Sequence, residues 1–83
     1  MKKILYFTAS WCAPCKQLSP TMSGLISKGM NVQKIDVDND TQFSAKYGIR
    51  SVPTLLLVDE NGNASGRLTG NRSEQEILNL YNG

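Results

Sequence analysis

The sequence predicts a single α/β domain, a mixed four-stranded sheet with helices on both faces. The elements run β-α-β-α-β-β-α and the strand order is 2-1-3-4. Three observations carry this. Short apolar runs around Ile4-Leu5-Tyr6-Phe7, Val32 to Val37 and Thr54 to Val58 are separated by stretches of helical periodicity. The first two runs are joined through a helix, which makes them parallel with a right-handed crossover. The third is followed by Asn61-Gly62, a strong hairpin signal, so the last two strands are antiparallel.

Each element has a local reason. Lys3 to about Thr8 is a nearly continuous apolar run, as expected of a central strand covered on both faces. A helix follows from about Ala13 to Ser27. Its residues Leu18, Met22, Leu25 and Ile26 fall on one helical face. Pro20 lies inside it and is expected to kink it, Gly24 weakens it, and Gly29 caps its end. Asn31 to about Val37 is the second strand, with Val32, Ile35 and Val37 apolar. The acidic stretch Asp36 to Asp40 lacks the glycine and distal glutamate of an EF-hand loop, so it reads as a strand end and helix cap.

A short helix from Thr41 to Tyr47 carries Phe43 and Tyr47 at i, i+4, and Gly48 stops it. Thr54 to Val58 is the third strand and the most apolar stretch, with Pro53 tolerated at its start. Asp59 to Gly62 is the turn. Ala64 to Thr69 is weakly patterned and suits a sheet edge. Ser73-x-x-Glu76 is a capping box that opens a last helix to about Tyr81, packed through Ile77, Leu78, Leu80 and Tyr81.

Size and charge narrow the function. The 83 residues allow one domain, 1–83, with a small core. A net charge of +2 with interspersed signs argues against nucleic acid or an anionic membrane as partner. Met1-Lys2-Lys3 precedes an apolar run of only about six residues, shorter than the ~7–15 of a secretory leader, so it reads as the start of a strand. No stretch approaches the ~20 apolar residues of a membrane helix. A dithiol that must be recycled suits a reducing, cytoplasmic setting.

The chemistry concentrates in Trp11-Cys12-Ala13-Pro14-Cys15-Lys16, which holds both cysteines of the chain where a strand feeds a helix. Two thiols two residues apart close into a small disulfide ring and reopen. Pro14 suits the first helical turn. The helix N-terminus offers free N–H groups and a partial positive charge, which stabilise a thiolate at Cys12. Such sites lower a cysteine pKa from about 8.5 to roughly 3.5–7.5. Lys16 adds a nearby cation. Cys15 lies one turn further in and is expected to be less exposed. Cys12 is therefore the expected attacking nucleophile and Cys15 the resolving thiol.

Other readings of the pair fit less well. A zinc site takes about four ligands, and the chain has no His and no other Cys. A purely structural disulfide closing so short a loop removes little unfolded-state entropy, on the order of 2 kcal/mol. Two inert core thiols do not need Trp and Pro beside them.

A wider pattern surrounds the motif: Pro20, then Lys34-Ile35-Asp36-Val37-Asp38, then Tyr47-Gly48-Ile49-Arg50-Ser51-Val52-Pro53-Thr54-Leu55, then Gly70. In this order, over nearly the whole chain, the sequence resembles the thioredoxin family. It looks like a minimal thioredoxin without the N-terminal strand and helix, of glutaredoxin-like length. The resemblance implies a thioredoxin-like fold and reduction of protein disulfides. Pro53 would be a cis-proline facing the dithiol, and the Val52 backbone would pair with an extended substrate. Trp11, Ala13, Pro14, Val52, Pro53 and Gly70 would form the docking surface, and Asp38 would bond the Trp11 indole.

Two positions depart from the family. Ala13 stands where most thioredoxins have Gly. Tyr6 stands where they usually bury an Asp that helps deprotonate the resolving cysteine, although the usual lysine partner survives as Lys34. Water or the departing substrate thiolate is then expected to take the Cys15 proton.

The resemblance also implies a monomer with no prosthetic group or metal. Its donor would be an NADPH-dependent thioredoxin reductase, and its substrates would be enzymes such as ribonucleotide reductase. Two alternatives remain at this level: a glutaredoxin-like protein recycled by glutathione, and a binding subunit whose dithiol is incidental. Trp-Cys-Ala-Pro-Cys differs from the Cys-Pro-Tyr-Cys usual in glutaredoxins.

Overall fold

The computed structural model describes every residue, Met1–Gly83. The elements are β1 (Lys3–Thr8), α1 (Ala13–Ser27), β2 (Val32–Asp36), α2 (Thr41–Lys46), β3 (Thr54–Val58), β4 (Ala64–Thr69) and α3 (Glu74–Asn82). The sheet order is β2-β1-β3-β4, with β1 parallel to β2 and antiparallel to β3, and β4 antiparallel to β3. This is the mixed 2-1-3-4 sheet that the sequence predicts.

Alternation along β1 and β3 builds two cores. Ile4, Tyr6, Leu55 and Leu57 face α1 and α3, where they meet Leu18, Met22, Leu25 and Ile77. Leu5, Phe7, Leu56 and Val58 face the other way, join Ile35, and are covered by Phe43 and Tyr47 at the α2 end. The Phe43 ring in α2 and the Tyr47 ring at its cap stack at 6.1 Å, and Tyr47 meets Phe7 edge-on at 6.2 Å. The Tyr47 hydroxyl donates to the Gly62 carbonyl at 2.6 Å, which ties α2 to the β3–β4 turn.

Several details differ from the sequence reading. Ile26 is 46% exposed, although Leu18, Met22 and Leu25 are buried. It stands about 100° round the helix from Leu25, at the margin of the apolar stripe. β2 is two residues shorter than predicted, yet Asn31 O accepts from Ile4 N–H and Val37 N–H donates to Thr8 O, so the pairing does reach both ends. Tyr47 is the C-cap of α2 and not its last helical residue. Lys28 is the C-cap of α1, with Gly29 just beyond it at φ 103°. A bulge at the start of β4 leaves Ser65 out of register, since Leu57 pairs with Gly66 and Val58 with Ala64.

Candidate active site

The turn between β1 and α1 places the two cysteines. Cys12 is the N-cap of α1, extended at φ −90° and ψ 111°, and its sulfur accepts from the Cys15 backbone N–H at 3.1 Å. Ala13 and Pro14 open the helix, and no acidic side chain occupies its first turn. The partial positive charge at this helix end therefore acts on the Cys12 sulfur unopposed. Cys12 and Cys15 are joined as a disulfide, with their Cα atoms 5.2 Å apart.

Exposure does not separate the two thiols. Cys12 is 4% exposed and Cys15 3%, because Ala9, Val37 and Val52 close around both. Position separates them. The Cys12 sulfur lies at the cap and 3.4 Å from the Val52 carbonyl oxygen, while Cys15 sits inside the first turn.

The loop before β3 forms the facing wall. The Val52–Pro53 peptide is cis. Val52 is half-buried and Pro53 fully buried. Gly70 holds this wall from the β4 side. Its N–H donates to the Pro53 carbonyl at 2.9 Å, with φ at 81°, a conformation that favours glycine.

Trp11 stands beside the cysteines and is 67% exposed. Its indole N–H donates to Asp38 Oδ2 at 2.7 Å, across 27 residues of sequence. A groove of about 130 Å³ runs along it, lined by Trp11, Val37, Ile49, Arg50, Ser51 and Val52. Ala13 and Pro14 are exposed on the same helix start.

On the other side lies a cleft of about 340 Å³ whose lining includes Tyr6, Thr8, Cys15, Lys16, Lys34 and Asp36. Tyr6 is 3% exposed, and its hydroxyl donates to the Cys15 carbonyl at 3.5 Å. Lys34 pairs with Tyr6 in the β1–β2 register. The position that departs from the family pattern thus lies next to Cys15. Lys34, Asp36 and Lys16 are the charged groups around it.

The sequence reading singled out Val52 but passed over Val37, Ile49, Arg50 and Ser51. In the sequence, Ile49-Arg50-Ser51 is only part of the wider pattern that carries the resemblance. No periodicity marks it, because it belongs to neither helix nor strand.

Comparison with known proteins agrees with this geometry. The family model described as Thioredoxin matches residues 1–82. The chain is 33% identical over 82 residues to a thioredoxin of Haemophilus influenzae, covering 95% of this chain and 76% of that protein. It is 37% identical over 81 residues to a thioredoxin of Mycoplasma genitalium, covering 95% and 78%. Among solved structures, a mutant thioredoxin of Halobacterium salinarum superposes with a TM-score of 0.87 at 33% identity, covering 96% of this chain and 71% of that one. Reduced thioredoxin pre-protein of Schistosoma mansoni also gives 0.87, at 29% identity, covering 98% and 76%.

Proposed function

The chain belongs to the thioredoxin family, and from that premise we propose how its site divides the work. The protein is a thiol–disulfide oxidoreductase that reduces protein disulfides by exchange through Cys12 and Cys15. In our reading Cys12 is the nucleophile. Its thiolate attacks one sulfur of the substrate disulfide. The substrate S–S bond breaks, a mixed disulfide forms, and the second substrate sulfur leaves as a thiolate that takes a proton. Cys15 then gives its proton to water or to the departing substrate thiolate and attacks the Cys12 sulfur. The mixed disulfide breaks, the substrate leaves with its second thiol, and Cys12–Cys15 is oxidised.

The observation that carries this assignment is the Cys12 sulfur at the helix cap, accepting from the Cys15 N–H at 3.1 Å. A thiolate there gains from the helix N-terminus, and one at Cys15 gains less. Trp11, Ala13, Pro14, Val52 and Gly70 form the docking surface in this reading, with buried Pro53 shaping its floor. Asp38 orients Trp11, and Tyr6 and Lys34 support Cys15.

The family implies disulfide-containing protein substrates and a reductase as partners. We infer that the donor is an NADPH-dependent thioredoxin reductase, that ribonucleotide reductase is among the substrates, and that the setting is the reducing cytosol. The glutathione-recycled alternative is not favoured, given thioredoxin relatives along the whole chain. No helix is long and apolar enough to cross a membrane.

Trapping tests the assignment of roles. Cys15→Ser should accumulate a mixed disulfide with insulin, resolved by mass spectrometry, and Cys12→Ser should accumulate none. The reverse pattern would exchange the two roles. Supplying either reductase with NADPH or glutathione, and following insulin reduction, identifies the donor.

A further inference from the structure

We propose that Arg50 makes this site select disulfides whose reactive cysteine has an acidic residue within two positions of it. This rests on the docking reading above and adds a substrate class to it.

The groove beside the dithiol has apolar walls, Trp11, Val37, Ile49 and Val52, and one charged member, Arg50. Arg50 is exposed and belongs to none of the three ion pairs of the molecule, which join the N-terminal amine to Glu60, Lys28 to Glu74 and Arg72 to Glu76. The nearby acid, Asp38, receives the Trp11 indole N–H on its Oδ2. Asp38 keeps its charge when it accepts this neutral N–H, but it is not part of the groove lining, whose one charge is the positive charge of Arg50. Lys16, four residues after Cys12, is exposed too but lines the cleft on the other side of the cysteines, with Lys34 and Asp36.

Geometry sets where the complementary charge must sit. The Cys12 sulfur is 3.4 Å from the Val52 carbonyl oxygen, so a substrate sulfur bonded to Cys12 brings its own cysteine beside Val52. A substrate segment extended along Ser51-Val52 presents side chains to one side at every second position. Arg50 is two residues from Val52 and lines the same groove, so a substrate side chain within two positions of the cysteine comes within its reach. An apolar neighbour fills the groove, and a carboxylate within that reach meets the guanidinium. At an exposed rim such a pair changes rates by a few-fold and responds to salt.

The test uses the full chain, pre-reduced, in single-turnover reduction of synthetic disulfide peptides. The residues two before and two after the reactive cysteine are Asp, Asn or Lys. Each rate is divided by that of dithiothreitol with the same peptide, which removes intrinsic reactivity. Wild type is expected to prefer Asp over Asn and Asn over Lys, by about 3-fold at each step. Arg50→Glu should reverse the order, and about 1 M salt should flatten it. Because ratios are compared within one protein, partial misfolding of the variant cancels. Equal normalised rates for the three peptides, or an unchanged preference in Arg50→Glu, would overturn the role of Arg50 while leaving the reductase reading intact. Failure to reduce any peptide would overturn the reductase reading and this inference together.

Discussion

Asp38 and Trp11 meet through one short bond, and that bond sets the aromatic edge of the docking groove. Both partners face solvent, so Asp38→Ala should change stability by less than about 1 kcal/mol. Its effect belongs in binding. We expect KM for insulin to rise a few-fold with kcat nearly unchanged, and the emission of Trp11, the one tryptophan, to shift. An unchanged KM would remove Asp38 from the site. Tyr6 is the other informative residue. Tyr6→Asp puts a carboxyl in a 3%-exposed position beside Cys15. Burying it should lower stability by more than about 2 kcal/mol near neutral pH. It should also add an ionisation to the pH profile of turnover. A profile identical to wild type would show that a carboxylate there takes no part in proton transfer from Cys15.

At the scale of elements, two helices have local features that act independently of the site. Gly24 lies within α1, and a Cβ built there meets nothing within 4 Å. Gly24→Ala is therefore expected to stabilise by about 0.5–1 kcal/mol, read as a higher urea midpoint with an unchanged slope. α3 begins with the reciprocal cap that the sequence signals. Ser73 Oγ accepts from the Glu76 N–H at 3.2 Å, and Glu76 Oε1 accepts from the Ser73 N–H at 3.2 Å. The Ser73 N–H, then its hydroxyl, and then Arg72 hold the Glu76 carboxyl below its ordinary value of 4.5. A carboxyl lowered by folding contributes above its unfolded value, and the contribution fades as pH falls through the folded one. Ser73→Ala should cost about 1 kcal/mol at neutral pH. It should also flatten the decline of stability with falling pH below 4.5, measured by urea unfolding across that range.

For the molecule as a whole, the small core sets how much change the fold tolerates. Only 20 of 83 residues are buried, so single core side chains carry a large share of the packing. Leu18 is fully buried between α1 and the sheet, in the cluster that also seats Ile77 of α3. Leu18→Ala should cost about 2–5 kcal/mol, against a typical domain total of about 5–15. Far-UV circular dichroism in urea should show the midpoint falling sharply. A loss below about 1 kcal/mol would mean that α1 is not anchored through this side chain. α1 carries Cys12 at its cap, so loosening it should also lower the exchange rate in the surviving folded fraction.

The amino-acid order by itself determined the elements, their sequence and the dithiol. Those depend on contacts within a few residues: the period of apolar side chains, Pro14 after a cap, Ser73 three before Glu76, and Asn61-Gly62 in a turn. The Trp11–Asp38 link and the proline wall could be expected only by resemblance, because they join residues far apart in the chain. Tertiary structure alone decided that Ile26 lies outside the core, that Pro53 is covered, and that Cys12 is as buried as Cys15. It alone brought Ile49, Arg50 and Ser51 alongside Trp11. Burial and groove membership depend on which segments arrive from elsewhere, and no local pattern in an irregular loop encodes that arrival.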